Sequence, residues 1–314
     1  MTVTVGAPTQ VQPDHAHAVL HCNLNTVDIA RAEVFYVSVL DLQVRMRQAS
    51  PDTDGTAMGL GPHTDTDVTF LYDWRGPRSA PALELVRWND PATRLRAEQG
   101  QAPGYASIGF RTTELAAIEG LLAIADATVS EVAGGVIVRG RRRPALRTTD
   151  PDGTVLEVVE VPDSTAPSTG GALSHQRVWC TDLERSIQWW GAIGWSLHTR
   201  AAEGEPGWAS MVLPTDPTFS VELMQFVDPA YDGPHTRAND QGLFRMALAV
   251  EDVVEAHEAV RAKSVDPVPD PVFYPMPDTP TGGFTVLFMT DPDGAVAEFV
   301  DRPRSAVRRP NGPL

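Results

Sequence analysis

The sequence predicts an α+β fold: four β-α-β-β-β modules forming two tandem domains with curled mixed sheets. Three observations predict it. First, Thr149-Asp150-Pro151-Asp152-Gly153 runs into Val155-Leu156-Glu157-Val158-Val159, and Thr290-Asp291-Pro292-Asp293-Gly294 runs into Val296-Ala297-Glu298-Phe299-Val300. In each, proline sets φ, aspartate caps the turn and glycine takes positive φ, so a tight turn feeds a strand. Second, four apolar strands each precede a capped helix at one spacing. His21 lies seven residues before Asp28, Ser107 seven before Glu114, His175 seven before Asp182 and Arg245 seven before Asp252. Third, the two halves repeat at a nearly constant offset: Glu84 to Glu222 and Ser107 to Arg245 are both 138 residues, and Glu157 to Glu298 is 141. Units that share one hydrophobic pattern fold and stack alike.

In chain order, residues 1–14 read as a polar arm. Residues 17–26 read as a strand, and Asp28 caps a helix over 29–40, whose apolar positions Val34, Phe35, Val37 and Leu40 have helical spacing. Residues 44–47 look extended, 50–67 form a long Asp/Gly/Thr/Pro loop, and 68–72 and 82–88 are strands. The second module places strands at 105–111, 136–139 and 154–161 and a helix at 114–125. Its run Arg139-Gly140-Arg141-Arg142-Arg143 reads as a solvated loop, with an anion-attracting rim as the sharper alternative. Residues 162–172 have linker composition. The pattern then restarts with strands at 173–181 and 220–227 around a helix at 183–193. Strands at 243–250, 285–289 and 295–300 follow, with a helix opened by the Asp252/Glu255 capping box. The expected domains are 15–161 and 173–303, followed by a loose tail over 304–314.

Composition narrows the functional classes. The chain has 314 residues and a formal charge of −16, which argues against nucleic acid or an anionic membrane surface as partner. With two cysteines, Cys22 and Cys180, a disulfide framework or Cys-rich metal site is not expected. The N-terminal residues lack the basic start and apolar run of a secretory leader, and no run is long enough to span a bilayer. A cytoplasmic protein acting on a small molecule is the expectation, with a homo-oligomer left open.

The chemistry-bearing candidates follow from strand alternation. His21, Asn23 and Asn25 share one face of their strand, while Leu20, Cys22 and Leu24 share the other. In the third module the polar-facing set is His175, Arg177 and Trp179. Glu84, Glu157, Glu222 and Glu298 each stand between apolar neighbours, where a carboxylate is costly to bury without a partner. An imidazole and carboxylates converging in a curled sheet suit a divalent metal such as Fe, Zn, Mn or Ni, with positions left for substrate. No nucleotide-binding Gly-rich loop or flavin signature is present in the required context.

Paired β-α-β-β-β modules, a histidine on the opening strand and Asp-Pro-Asp-Gly-x-x-x-Glu on the closing one resemble the vicinal oxygen chelate superfamily, which includes glyoxalase I, extradiol dioxygenases and bleomycin-resistance proteins. The resemblance spans about 20–303. It implies metal-ligand positions at His21, Glu84, Ser107 and Glu157 in the first domain, and at His175, Glu222, Arg245 and Glu298 in the second. Two departures stand out, since serine and arginine occupy ligand positions. Arg245 never loses its charge, so the second cavity suits a metal-free or anion-recognising role. The expected metal site is therefore His21, Glu84 and Glu157, with Glu84 or Glu157 doubling as general base. Asn23, Asn25, Ser107, Arg177 and Trp179 are the expected substrate contacts. The implied function is a metal-dependent lyase, isomerase or dioxygenase-like enzyme. Alternatives are a metal-free binding or resistance protein, and a metal-free isomerase or cyclase.

Overall fold

The structure, a computed structural model, describes residues 16–95, 102–161, 169–226, 236–264, 266–275 and 282–309. The expected arm at 1–14 and most of the expected linker lie outside the described residues. The four modules are present. The first comprises β1 (Ala18–Asn25), α1 (Ile29–Leu40), β2 (Gln43–Thr53), β3 (Thr64–Tyr72) and β4 (Ala82–Asp90). The second comprises β5 (Gly104–Thr112), α2 (Leu115–Ile124), β6 (Val129–Glu131), β7 (Val136–Val138), β8 (Arg141–Arg143), β9 (Ala145–Thr149) and β10 (Val155–Glu160). The third comprises β11 (Ala172–Cys180), α3 (Leu183–Ala192), β12 (Ser196–Arg200), β13 (Trp208–Leu213) and β14 (Asp216–Gln225). The fourth comprises β15 (Gly242–Val250), α4 (Val253–Lys263), β16 (Val272–Pro275), β17 (Gly283–Thr290) and β18 (Val296–Asp301).

The helices begin where the sequence places them. Asp28, Asp182 and Asp252 each accept a backbone amide of the first turn of α1, α3 and α4, supplying partners for donors that a helix start leaves orphaned. Differences from expectation concern the edges of the sheets. The 50–67 loop is shorter than its composition suggests, because β2 runs to Thr53 and β3 starts at Thr64. The basic run forms a β7–β8 hairpin turning at Arg139 and Gly140, both at positive φ.

The larger difference is which modules pair. One sheet has the order β16-β17-β18-β15-β1-β4-β3-β2, and the other β12-β13-β14-β11-β5-β10-β9-β6. The first and fourth modules therefore build one sheet, joined by antiparallel β1 and β15; the second and third build the other, joined by antiparallel β5 and β11. The domains expected at 15–161 and 173–303 therefore each contribute one module to either sheet. Periodicity reveals copies of a module but carries no information on which edge meets which.

The sequence halves still cohere on the helix side. Asp152, in the turn before β10, accepts the Thr26 hydroxyl and Arg31 Nη2 of the first module. Asp293, before β18, accepts the Thr181 amide at 3.0 Å and its hydroxyl at 2.6 Å in the third. One apolar core unites both sheets with the helices, through Tyr36, Leu24, Leu85, Phe110, Ile118, Trp190, Val253 and Phe299. Residues 304–309, expected to be a loose tail, are ordered. Arg309 Nε lies 2.9 Å from the buried Asp216 carboxylate, which also accepts the Val19 amide at 3.0 Å. Among the described residues no helix is long and apolar enough to cross a membrane.

The two repeated turns bury their first aspartate. Burial pushes the Asp291 carboxyl up to about 7, with nearby Asp293 adding to the effect against the amides of Ala295 and Asp293. Burial likewise raises Asp150 to about 6. The unfolded chain ionises such groups near 4, so the stability they contribute is complete below that value. It is lost as pH rises through 6 and 7. Asp291→Asn keeps the oxygen that accepts the amides of Asp293 and Ala295. Thermal melts are expected to show it gaining stability over the wild type by roughly 1–3 kcal/mol at pH 8, and little at pH 4.

Candidate functional site

In the sheet of the first and fourth modules, His21 and Glu84 stand on β1 and β4, which are parallel neighbours, while Arg245 and Glu298 stand on β15 and β18, also parallel neighbours. Because β1 and β15 adjoin, the four side chains converge. Arg245 Nη2 lies 3.0 and 2.9 Å from the two oxygens of Glu84, and its Nε lies 2.8 Å from Glu298. His21 Nε2 sits 3.5 Å from Glu84 and 3.7 Å from Glu298, is buried, and lacks a hydrogen-bond partner among the described residues. Burial works against the ionised form of Glu298, but Arg245 and then His21 outweigh it and hold the carboxyl below its usual range. The Phe70 ring meets His21 edge-on at 5.4 Å.

The matching site in the other sheet collects Ser107, Glu157, His175 and Glu222. Arg177 binds Glu157 through Nη2 at 2.6 Å and Nε at 3.1 Å, Arg147 binds it at 2.7 Å, and His175 Nε2 lies 3.3 Å away. Burial disfavours the Glu157 carboxylate, yet Arg177 and His175 hold it well below the usual range. Glu222 accepts the hydroxyls of Ser210 and Ser220 and the Arg139 amide. The β7–β8 hairpin is held against this site: Arg177 Nη2 reaches the Ile137 carbonyl at 3.5 Å, and Val136 and Val138 pack on Val159 and Val161. The His175 ring lies so close to Gly109 that a Cβ there would stand 1.9–2.2 Å from ring atoms.

Several expected groupings are therefore corrected. His21 and Glu84 meet, but Glu157 belongs to the other sheet and does not join them. The expected second cavity also divides: His175 and Glu222 stay together, while Arg245 and Glu298 face His21 and Glu84. Arg245 neutralises Glu84 and Glu298 rather than Glu222 and Glu298. Of the expected substrate contacts, Asn23 lies on the His21 strand, fully buried with both amide atoms unpartnered among the described residues. Asn25 is committed to the Ala238 and Asp240 carbonyls and to Trp88 Nε1. Ser107 and Arg177 belong to the Glu157 site, and Trp179 packs against Phe226 with ring centroids 5.6 Å apart. Arg147, which binds Glu157, escaped sequence reading, having neither motif nor module equivalence to mark it.

Neither set of side chains fits a divalent metal. At the first, a permanent cation holds both carboxylates; at the second, Glu157 is taken by two arginines and Glu222 by two hydroxyls and an amide. Among the described residues, no group of three or more His, Cys, Asp or Glu side chains is arranged to hold a metal ion.

The curled mixed sheets built from paired modules define a glyoxalase-like fold. Glyoxalase I from Zea mays aligns over 92% of this chain and 92% of its own, with a TM-score of 0.67 and 18% identity. A Bacillus subtilis subsp. subtilis str. 168 protein, described as a candidate dioxygenase, aligns over 94% and 92%, with a TM-score of 0.65 and 12% identity. Residues 172–299 match the family model described as Glyoxalase/Bleomycin resistance protein/Dioxygenase superfamily. The match covers that segment, and the chain as a whole has the glyoxalase-like fold that the resemblance implies. No curated protein matches the chain significantly.

Gly109→Ala would force the His175 ring off Glu157. A loss of about 2 kcal/mol or more is expected in denaturant unfolding, whereas alanine at Gly120, where an added Cβ meets nothing within 4 Å, is expected to be harmless.

Proposed function

We propose that this chain is a metal-independent member of the superfamily that acts on a small oxygen-bearing molecule at the His21/Glu84/Arg245/Glu298 site, as an isomerase- or cyclase-type acid/base enzyme. The observation that carries this reading is the position of Arg245. Its guanidinium lies within 3.0 Å of both Glu84 and Glu298, with His21 Nε2 beside them. A carboxylate doubly bound to arginine is a poor metal ligand, and a dication brought among them meets a charge that does not titrate away.

The arrangement supports proton handling by elementary means. Arg245 fixes the two carboxylates in place and, with His21, holds that of Glu298 below its usual range against the effect of burial. His21, with Nε2 free of a protein hydrogen bond, is the group able to accept or donate a proton at a bound molecule. The carboxylates flank the imidazole and stabilise positive charge that develops on it during transfer. Asn23 supplies a donor and an acceptor beside it. The second site is read as structural, since its histidine is packed on Gly109 and bonded to both Ser174 and Glu157.

Elemental analysis of the purified protein, with titration by zinc, nickel and iron(II), tests the reading. The wild type is expected to bind none of them stoichiometrically. Arg245→His removes the blocking cation and completes a set of two imidazoles and two carboxylates; it is expected to gain about one ion per chain. One tightly held ion in the wild type, lost in His21→Ala, would overturn the proposal. Binding of a small molecule at His21 with no turnover would replace the enzyme by a sequestering protein on the same site.

A further inference from the structure

A further polar group near the His21 site, the hydroxyl of the half-buried Tyr274, lies outside the module equivalences. Tyr274 lies on β16, the edge strand of this sheet, and its ring packs edge-on to Phe288 at 6.5 Å. Phe288 is the register partner of Glu298. The Tyr274 hydroxyl is buried without a hydrogen-bond partner among the described residues. It lies close enough to Glu298, Arg245 and Asp54 to feel their charges, and burial with the Glu298 charge pushes it up to about 12. A buried hydroxyl left without a partner costs free energy. Asn23 has both amide atoms in the same condition, and His21 has Nε2. Three orphaned groups around one ion network mark a place where a hydrogen-bonding molecule completes the structure.

Building on the proposed function, we propose that Tyr274 is a ligand-binding, specificity-determining residue of this site, and that the ligand is an uncharged planar molecule bearing hydroxyl or carbonyl oxygens. The charge follows from the network. Glu84 and Glu298 carry two negative charges against one on Arg245. Arg245 has spent Nε and Nη2 on them, while Nη1 faces Met58 Sδ at 3.9 Å. An anion would meet the two carboxylates, whose formal charge outweighs that of Arg245. A cation would meet the guanidinium, which already holds both oxygens of Glu84 and one of Glu298. A neutral oxygen can accept from Tyr274 and from the Asn23 amide, and a ligand hydroxyl can donate to Asn23 Oδ1 or share a proton with His21. Shape follows from the neighbours: the Phe70 ring meets His21, the Phe288 ring meets Tyr274, and the Met58 sulfur lies 3.9 Å from Arg245, so flat rings and a polarisable thioether adjoin the polar groups.

The test uses the full chain and three matched probes: neutral 4-hydroxyacetophenone, anionic benzoate and cationic benzylammonium. Each is titrated while the His21 imidazole resonances, assigned by their loss in His21→Gln, are followed by NMR. The neutral probe is expected to shift them saturably, the charged probes not to, and Tyr274→Phe to bind the neutral probe about three- to tenfold more weakly with an unchanged melting temperature. Benzoate or benzylammonium binding as tightly as the neutral probe, or Tyr274→Phe binding it equally well, overturns this inference and leaves the His21 site standing. If no probe perturbs His21, both the inference and the site reading fail.

Discussion

The arginine between Glu84 and Glu298 is the interaction on which the chemistry of this molecule turns. Two carboxylates and an imidazole on the inside of a curled sheet form a site that must be neutralised. A metal does so with a removable charge that leaves positions for substrate; a guanidinium does so permanently and by directional hydrogen bonds. With Arg245 in place the carboxylates are fixed rather than labile. On the function proposed above, proton transfer at His21 is the reactive capacity that remains. Removing one partner of such a buried network typically costs several kcal/mol, so the substitution of arginine for a ligand is coupled to the stability of the sheet seam that carries it.

That seam exists because the modules pair crosswise. Each sheet joins one module from either half of the chain, while the Asp152 and Asp293 turns tie together the modules adjacent in sequence. The result is a closed cycle of contacts in which no module is an end. Both sites are assembled within one chain, and each depends on strands that lie more than sixty residues apart along it. The Arg309–Asp216 pair adds a strap, bringing the last described residues against β1 and β14.

The two sites show how the same positions diverge. One places arginine at an opening strand, where it bridges two carboxylates and leaves the histidine nitrogen free. The other has serine there, and its arginine, Arg177, comes two residues after the histidine and gathers on a single carboxylate. Gly109 then lets the His175 ring sink against the backbone, and the β7–β8 hairpin lies over what remains. The histidine of the second site is bonded to Ser174 and Glu157, whereas Nε2 of His21 at the first has no hydrogen-bond partner among the described residues.

The sequence by itself determined the modules, because strand alternation, aspartate caps and the Asp-Pro-Asp-Gly turns act over a few residues and leave periodic traces. It also determined which positions carry His, Glu and Arg on the inner faces, since a carboxylate flanked by apolar residues is conspicuous at any distance from its partner. The tertiary structure alone decided that Arg245 bridges Glu84 and Glu298, with Glu157 in the other sheet, and that these groups meet the first histidine. Four similar modules offer several equally hydrophobic ways to pair. The choice among them rests on how strand edges and helix faces fit in three dimensions, a quantity that no local pattern records.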